Sequence, residues 1–167
     1  MPGRAVHEET VGRLYTAEQR RRRDETRWTM VQGLLAPVQF LIFIVSLVLV
    51  LRYLRTGEGF EAATASVIAK TAALYTIMVT GSLWEHAVFG RYLFAPAFFW
   101  EDAVSMVVIA LHTAYLATLI WPGVTPGTQM AVALAAYGLY VVNAAQYIVK
   151  LRRARLERAA PLVEQTS

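Results

Sequence analysis

Four long apolar runs constrain this chain more than any other feature, and each is bounded by polar or turn-forming residues. A helix of about 20 apolar residues rising 1.5 Å per residue crosses the ~30 Å hydrocarbon core of a bilayer. Inside that core the backbone must satisfy its own hydrogen bonds, which leaves helices as the natural reading of such runs. The expected fold is therefore all-α: an integral membrane four-transmembrane-helix bundle with spans at about residues 30–54, 62–84, 97–121 and 130–148. The first run is not a cleavable signal peptide. It exceeds the ~7–15 apolar residues of such a segment, and no small-x-small site follows it.

The charges complete the topology. Of 167 residues, 56% are hydrophobic and only 17% charged, too apolar for an ordinary soluble domain. The chain has no cysteine, which excludes disulfides, thiolate metal sites and cysteine nucleophiles. A polar tail is expected over residues 1–14, with His7 inert within it. Thr16-Ala-Glu-Gln19 reads as a capping box opening an amphipathic basic N-terminal helix with Arg20, Arg21, Arg22, Arg23 and Arg27. Lys150, Arg152, Arg153, Arg155 and Arg158 form a second basic collar, leading into a basic tail over residues 152–167. Bases beside apolar spans answer anionic lipid, so the expected partner is the bilayer and not nucleic acid. Both collars outweigh Arg52 and Arg55, which Glu58 and Glu61 accompany, and the turn after the third span carries no charge. The positive-inside rule then places both termini in the cytoplasm, with residues 15–151 forming the membrane domain.

One connection stands apart. Trp84 to Asp102, WEHAVFGRYLFAPAFFWED, packs Glu85, His86, Glu101 and Asp102 around Phe89, Tyr92, Phe94, Phe98, Phe99 and Trp100. Pro96 suits the first turn of the third span. Glu101 and Asp102 are adjacent, so about 100° separates them on a helix and they cannot face one point. Glu101 shares its face with Ser105 and His112 and is the better inward candidate; Asp102 fits the helix N-terminus, where the dipole favours negative charge. Glu85 shares a broad face with Lys70 and Gly81, where the missing side chain lets a flat group approach. A carboxyl desolvated among these aromatics could act as a general acid.

The spans also carry polar stripes. Gln32, Gln39, Ser46 and Tyr53 recur every seven residues, Pro37 is expected to kink their helix, and Asn143 and Gln146 lie on the fourth span. Lys70 and His112 fall in the far half, where interhelical glue explains an ionisable group less well than function does. His112 is expected to pair in the core, with Tyr75 or Lys70. His86 and His112 sit about 15 Å apart in depth, which argues against a bis-histidine haem, and His86 is read as a cap of the second span.

The runs YTAEQRRRRDETRW, VQGLLAPVQFLIFIVSLVLVLRYLRTGEG, LYTIMVTGSLWEHAVFGRYLFAPAFFWEDAVSM and ALHTAYL resemble the bacteriochlorophyllide C-3 vinyl hydratase family from about Tyr15 to Leu151, most specifically in LAPVQF, the WE…VFG pair and FFWED. The resemblance implies a membrane lyase that adds water across the 3-vinyl group of a chlorophyllide, giving a 3-(1-hydroxyethyl) group. It implies no metal site in the protein and no cofactor, the magnesium being carried by the substrate macrocycle. Neighbouring pigment-pathway enzymes are implied partners, and the bacterial inner (intracytoplasmic) membrane the implied location. The residues fit such a substrate. Trp84, Phe89, Phe94, Phe98, Phe99 and Trp100 could stack on a flat macrocycle, and Arg91 or the basic collar could hold its propionate. Glu101 or Glu85 is the candidate acid, with Asp102 or the other glutamate positioning water, supported by Asn143 and Gln39; His112 is counted with the binding residues. Two other classes use parts of the same pattern: a tetrapyrrole carrier without turnover, and a small transporter with Lys70 and His112 as relay groups.

Overall fold

The computed structural model describes residues 14–159; the N-terminal stretch with His7 and the tail beyond Ala159 lie outside the described residues. Five helices make up the fold: α1 (Ala17–Glu25), α2 (Arg27–Thr56), α3 (Phe60–Phe89), α4 (Phe99–Ile120) and α5 (Pro126–Ala159). No strand occurs among the described residues. The last four helices are long and apolar enough to cross a membrane.

Helix α1 begins as its residues dictate. The Thr16 hydroxyl accepts from the Gln19 N–H at 3.2 Å, and the Gln19 side chain accepts from the Thr16 N–H at 2.9 Å. None of its residues is buried. Hydrogen bonds from Arg21 and then Arg22 hold the Glu18 carboxyl below its ordinary range. The helix is tied down from below, where the Arg23 guanidinium lies 4.9 Å over the ring of the buried Tyr15.

Two helical hairpins, α2/α3 and α4/α5, build the bundle. The seven-residue stripe of α2 turns inward: Gln39, Phe43, Ser46 and Val50 are its buried residues. Leu34, Leu41, Val45 and Val48 stay exposed on the opposite side, the apolar surface a lipid-facing helix requires. The helix runs unbroken through Pro37. Phe43 meets the rings of Tyr137 and Tyr140 at 5.3 and 4.9 Å, joining the two hairpins. The Ser46 hydroxyl sits 2.7 Å from Ser66 and 2.5 Å from Tyr137, so one small polar side chain bridges three helices. The far half of the core is Val67, Leu74, Val108, Tyr115, Met130 and Ala133.

The helices reach further than the apolar runs alone indicate. Helix α3 continues past Trp84 to Phe89 and stops at Gly90, whose φ of 75° is the left-handed conformation that glycine adopts without strain. Helix α5 runs to Ala159, so no break separates the fourth span from the basic collar. The third span begins later than expected, at Phe99, and Pro96 lies in the turn before it, where Phe98 donates to Ala95 O at 2.8 Å. Four ends share one end of the bundle: the N-termini of α2 and α4 and the C-termini of α3 and α5. The Trp84 indole donates to Thr29 Oγ1 at 2.9 Å, and Tyr147 stacks on Phe98 with centroids 5.9 Å apart.

Candidate active site

The segment between α3 and α4 is held by carboxyls. Leaving Gly90, the chain reaches Phe94, whose φ of 58° is left-handed and costs a non-glycine residue roughly 1 kcal/mol or more. Two acidic side chains hold it there. The Phe94 N–H donates to Asp102 Oδ2 at 2.8 Å, and the next N–H, of Ala95, donates to Glu85 Oε2 at 3.2 Å. Tyr147 donates its hydroxyl to the other Asp102 oxygen at 3.2 Å. Glu85 and Asp102 thus hold successive amides of one segment. Both are buried, at 4% and 2% exposure. Asp102 is thus more than a helix-end group: it holds Phe94 and accepts from Tyr147.

Glu101 faces the other way, as adjacency on a helix demands. Its Oε2 lies 2.5 Å from Lys150 Nζ of α5, and the same ammonium donates to Ala97 O and sits 5.1 Å over the Phe98 ring. The Glu101 carbonyl accepts from Ser105 and from the Asn143 amide, and Ser105 also donates to Asn143 Oδ1 at 3.1 Å, which locks α4 to α5 at this level.

Glu101 and Lys150 line an open cleft of about 930 Å³. Phe89, Pro96, Ala97, Val142, Ala145 and Val149 form its apolar walls, while Gln19, Gln146 and Arg153 add polar groups. Glu85 and Asp102 hold the chain just before that wall: Ala95, with no exposed surface, precedes the lining residues Pro96 and Ala97. Such a cleft suits a large apolar ligand with a few polar handles.

The sequence-predicted residues therefore separate into groups. Glu101 and Phe89 line the cleft. Trp84 and Phe98 pack with Phe89 and the buried Tyr15 into an aromatic core behind it, and Phe98, 2% exposed, offers no face for stacking. Phe94, Phe99 and Trp100 form an exposed ladder with centroids 5.7 and 5.4 Å apart, outside the cleft. Arg91 is exposed and does not line it. Asn143 serves the Glu101 backbone, as above. Gln39 is buried and its Oε1 has no hydrogen-bond partner. At Gly81 the near neighbour is the Gln32 side chain, 3.5 Å from where a Cβ would stand, so the bare helix face admits α2 and not a flat ligand.

The histidines and Lys70 take other places. His86 is exposed in the last turn of α3, as expected of a group at that helix end, and its ring stacks on Tyr92 at 4.2 Å. His112 hydrogen-bonds through Nδ1 to Val108 O at 2.8 Å, while Tyr75 pairs with Thr113. Lys70 lies 3.6 Å over the ring of Tyr140. Among the described residues no three His, Asp or Glu side chains group as metal ligands. Sequence reasoning took Lys150 as one base of the collar and missed its role. The signal was its place three residues beyond Tyr147, on the stripe that faces α4.

The sequence profile of the 2-vinyl bacteriochlorophyllide hydratase family matches residues 15–153. The 2-vinyl bacteriochlorophyllide hydratase of Cereibacter sphaeroides is 66% identical over 148 residues, covering 89% of this chain and 92% of the relative. That of Rhodobacter capsulatus is 64% identical over 147 residues, covering 88% of this chain and 85% of the relative. No solved structure matches the chain. The matched residues take in all four spans, the carboxyl-held segment and both partners of the Glu101–Lys150 pair, and the chain belongs to the 2-vinyl bacteriochlorophyllide hydratase family.

Proposed function

We propose that this protein hydrates the vinyl group of a chlorophyllide-type tetrapyrrole to a 1-hydroxyethyl group, in a bacterial inner membrane with both termini cytoplasmic. The observation that carries the site assignment is the Glu101–Lys150 pair on the wall of an otherwise apolar cleft. The macrocycle enters from the bilayer and its rim lies against Phe89, Pro96 and Val149. Glu101 presents the proton of the pair to the terminal vinyl carbon, which becomes a methyl group. The positive charge then rests on the inner carbon and spreads into the macrocycle. Water bonds to that carbon and returns a proton to the pair, so one water is added and the protein ends unchanged. No electron is transferred and no redox cofactor is needed; the magnesium belongs to the substrate. Glu85 and Asp102 act at one remove, holding Phe94 and Ala95 so that Pro96 and Ala97 stay in the cleft wall.

The test is incubation of the full chain in membranes with the vinyl macrocycle and isotopic water. Label is expected in a hydroxyethyl product. Glu101→Gln is expected to lower its formation by about 100-fold or more, the usual worth of a general acid. Glu85→Gln keeps an acceptor for the Ala95 N–H, and is expected to stay within about tenfold of the parent. Full conversion by Glu101→Gln would overturn the assignment. Pigment bound without any label in product would make the protein a carrier.

A further inference from the structure

The cleft divides the C-terminal basic collar. Of Lys150, Arg152, Arg153 and Arg155, only Lys150 and Arg153 line it. Lys150 is committed, to Glu101 and to Ala97 O. Arg153 forms no ion pair with any described residue, although it is an exposed guanidinium at the edge of a cleft with mainly apolar walls. It stands three residues from Lys150, about 4.5 Å of rise and one helical turn, on the same face of α5. A ligand whose reacting edge lies at Glu101 thus meets a planar two-pronged donor further out, on the side away from the bundle centre. A guanidinium in that position matches a carboxylate, which accepts two parallel N–H bonds from it. Arg91, the exposed arginine of the segment between α3 and α4, is off the cleft.

We propose that Arg153 is a specificity-determining residue that binds the free carboxylate of the substrate, so that the cleft selects a tetrapyrrole acid over its ester. This rests on the hydratase reading for the nature of the ligand. Arg153 sets the position of the macrocycle through its propionate arm, while the vinyl group meets the Glu101–Lys150 pair. An esterified arm offers no negative charge to Arg153 and brings an alkyl chain to the polar edge of the cleft.

Binding and turnover separate the two readings. The full chain, in nanodiscs, is titrated with the vinyl macrocycle as free acid and as methyl ester, following the pigment absorption band; label from isotopic water is then measured under saturation. The parent is expected to bind the acid about tenfold tighter than the ester, the worth of one charge-assisted pair at a part-exposed site. Arg153→Ala is expected to weaken the acid about tenfold and leave binding of the ester unchanged. Arg153→Lys is expected to restore part of the preference. Equal binding of acid and ester by the parent, or an equal loss for both in Arg153→Ala, would overturn the proposal. An acid-selective loss in Arg91→Ala with none in Arg153→Ala would overturn it as well. Acid-selective binding without labelled product would instead sink the hydratase reading and leave the role of Arg153 standing.

Discussion

Two buried polar regions sit in this bundle and are built differently. At the end where α3 meets α4, every buried carboxyl has a hydrogen-bond partner: Glu85 the Ala95 amide, Asp102 the Phe94 amide and Tyr147, Glu101 the Lys150 ammonium. Deeper in the bundle, Lys70 Nζ and His112 Nε2 are buried with no hydrogen bond; Lys70 lies over the Tyr140 ring, and His112 is bonded only through its other nitrogen. A satisfied network fixes positions, whereas an unsatisfied buried group costs free energy and fixes little. The difference teaches where geometry is being held. The near region orients a segment, a helix end and a cleft wall at once; the deep one tolerates a cation among aromatic rings. The proposed function accordingly draws its groups from the near region, although the deep one has the more conspicuous residues.

The comparison breaks most readily at Lys150. Lys150→Met leaves the Glu101 carboxyl, 8% exposed, beside an apolar side chain and frees Ala97 O. Removing one partner of a buried pair costs several kcal/mol, and the part-exposed lysine lowers that to about 2 kcal/mol here. Thermal unfolding in detergent is expected to move down accordingly, and label incorporation to fall by about 100-fold. An unchanged melting point and rate would mean that the pair holds nothing. A smaller effect follows for Tyr147→Phe, which removes one neutral donor from Asp102 and keeps the ring on Phe98. About 1 kcal/mol of stability is expected to go, with turnover reduced a few-fold through the Phe94–Ala97 segment. Loss of all turnover would make Tyr147 itself part of the chemistry.

Much of this was legible in the sequence because it depends on local pattern. The four spans follow from the length of their apolar runs, the start of α1 from Thr16 and Gln19, and the opposite facing of Glu101 and Asp102 from adjacency alone. The site was legible only as a neighbourhood. Lys150 pairs with Glu101 across two helices and 49 positions, and its long flexible stem gives no periodic mark of where the ammonium ends. Asp102 looked like a helix-end charge because the dipole accounts for any acid in a first turn; that the Phe94 amide and the Tyr147 hydroxyl converge on it depends on how α3 ends at Gly90. The aromatic stretch divides in a similar way. Ring density near a membrane end suggests a stacking platform, but rings serve equally as core and as lipid-facing belt. Phe98 went to the core, while Trp100 is 70% exposed.

The smallest effect is expected where the residue looks most unusual. A lysine near the middle of a span costs roughly 2.5–3.5 kcal/mol in insertion, and a desolvated cation over an aromatic ring recovers about 2 kcal/mol. Lys70 has such a ring, Tyr140 at 3.6 Å, and no hydrogen bond. The two contributions nearly cancel, so Lys70→Met, similar in volume and able to pack on Tyr140, is expected to shift stability by less than about 1 kcal/mol, with the sign toward stabilisation. Turnover is expected to stay within about twofold, because the ammonium lies some 15 residues of helix, or about 22 Å, from the level of Glu85. Thermal unfolding and labelled product formation, measured on one preparation, check both halves. A large loss of turnover with the fold intact would put the deep region into the chemistry, and the contrast between a held site and a tolerated one would fail.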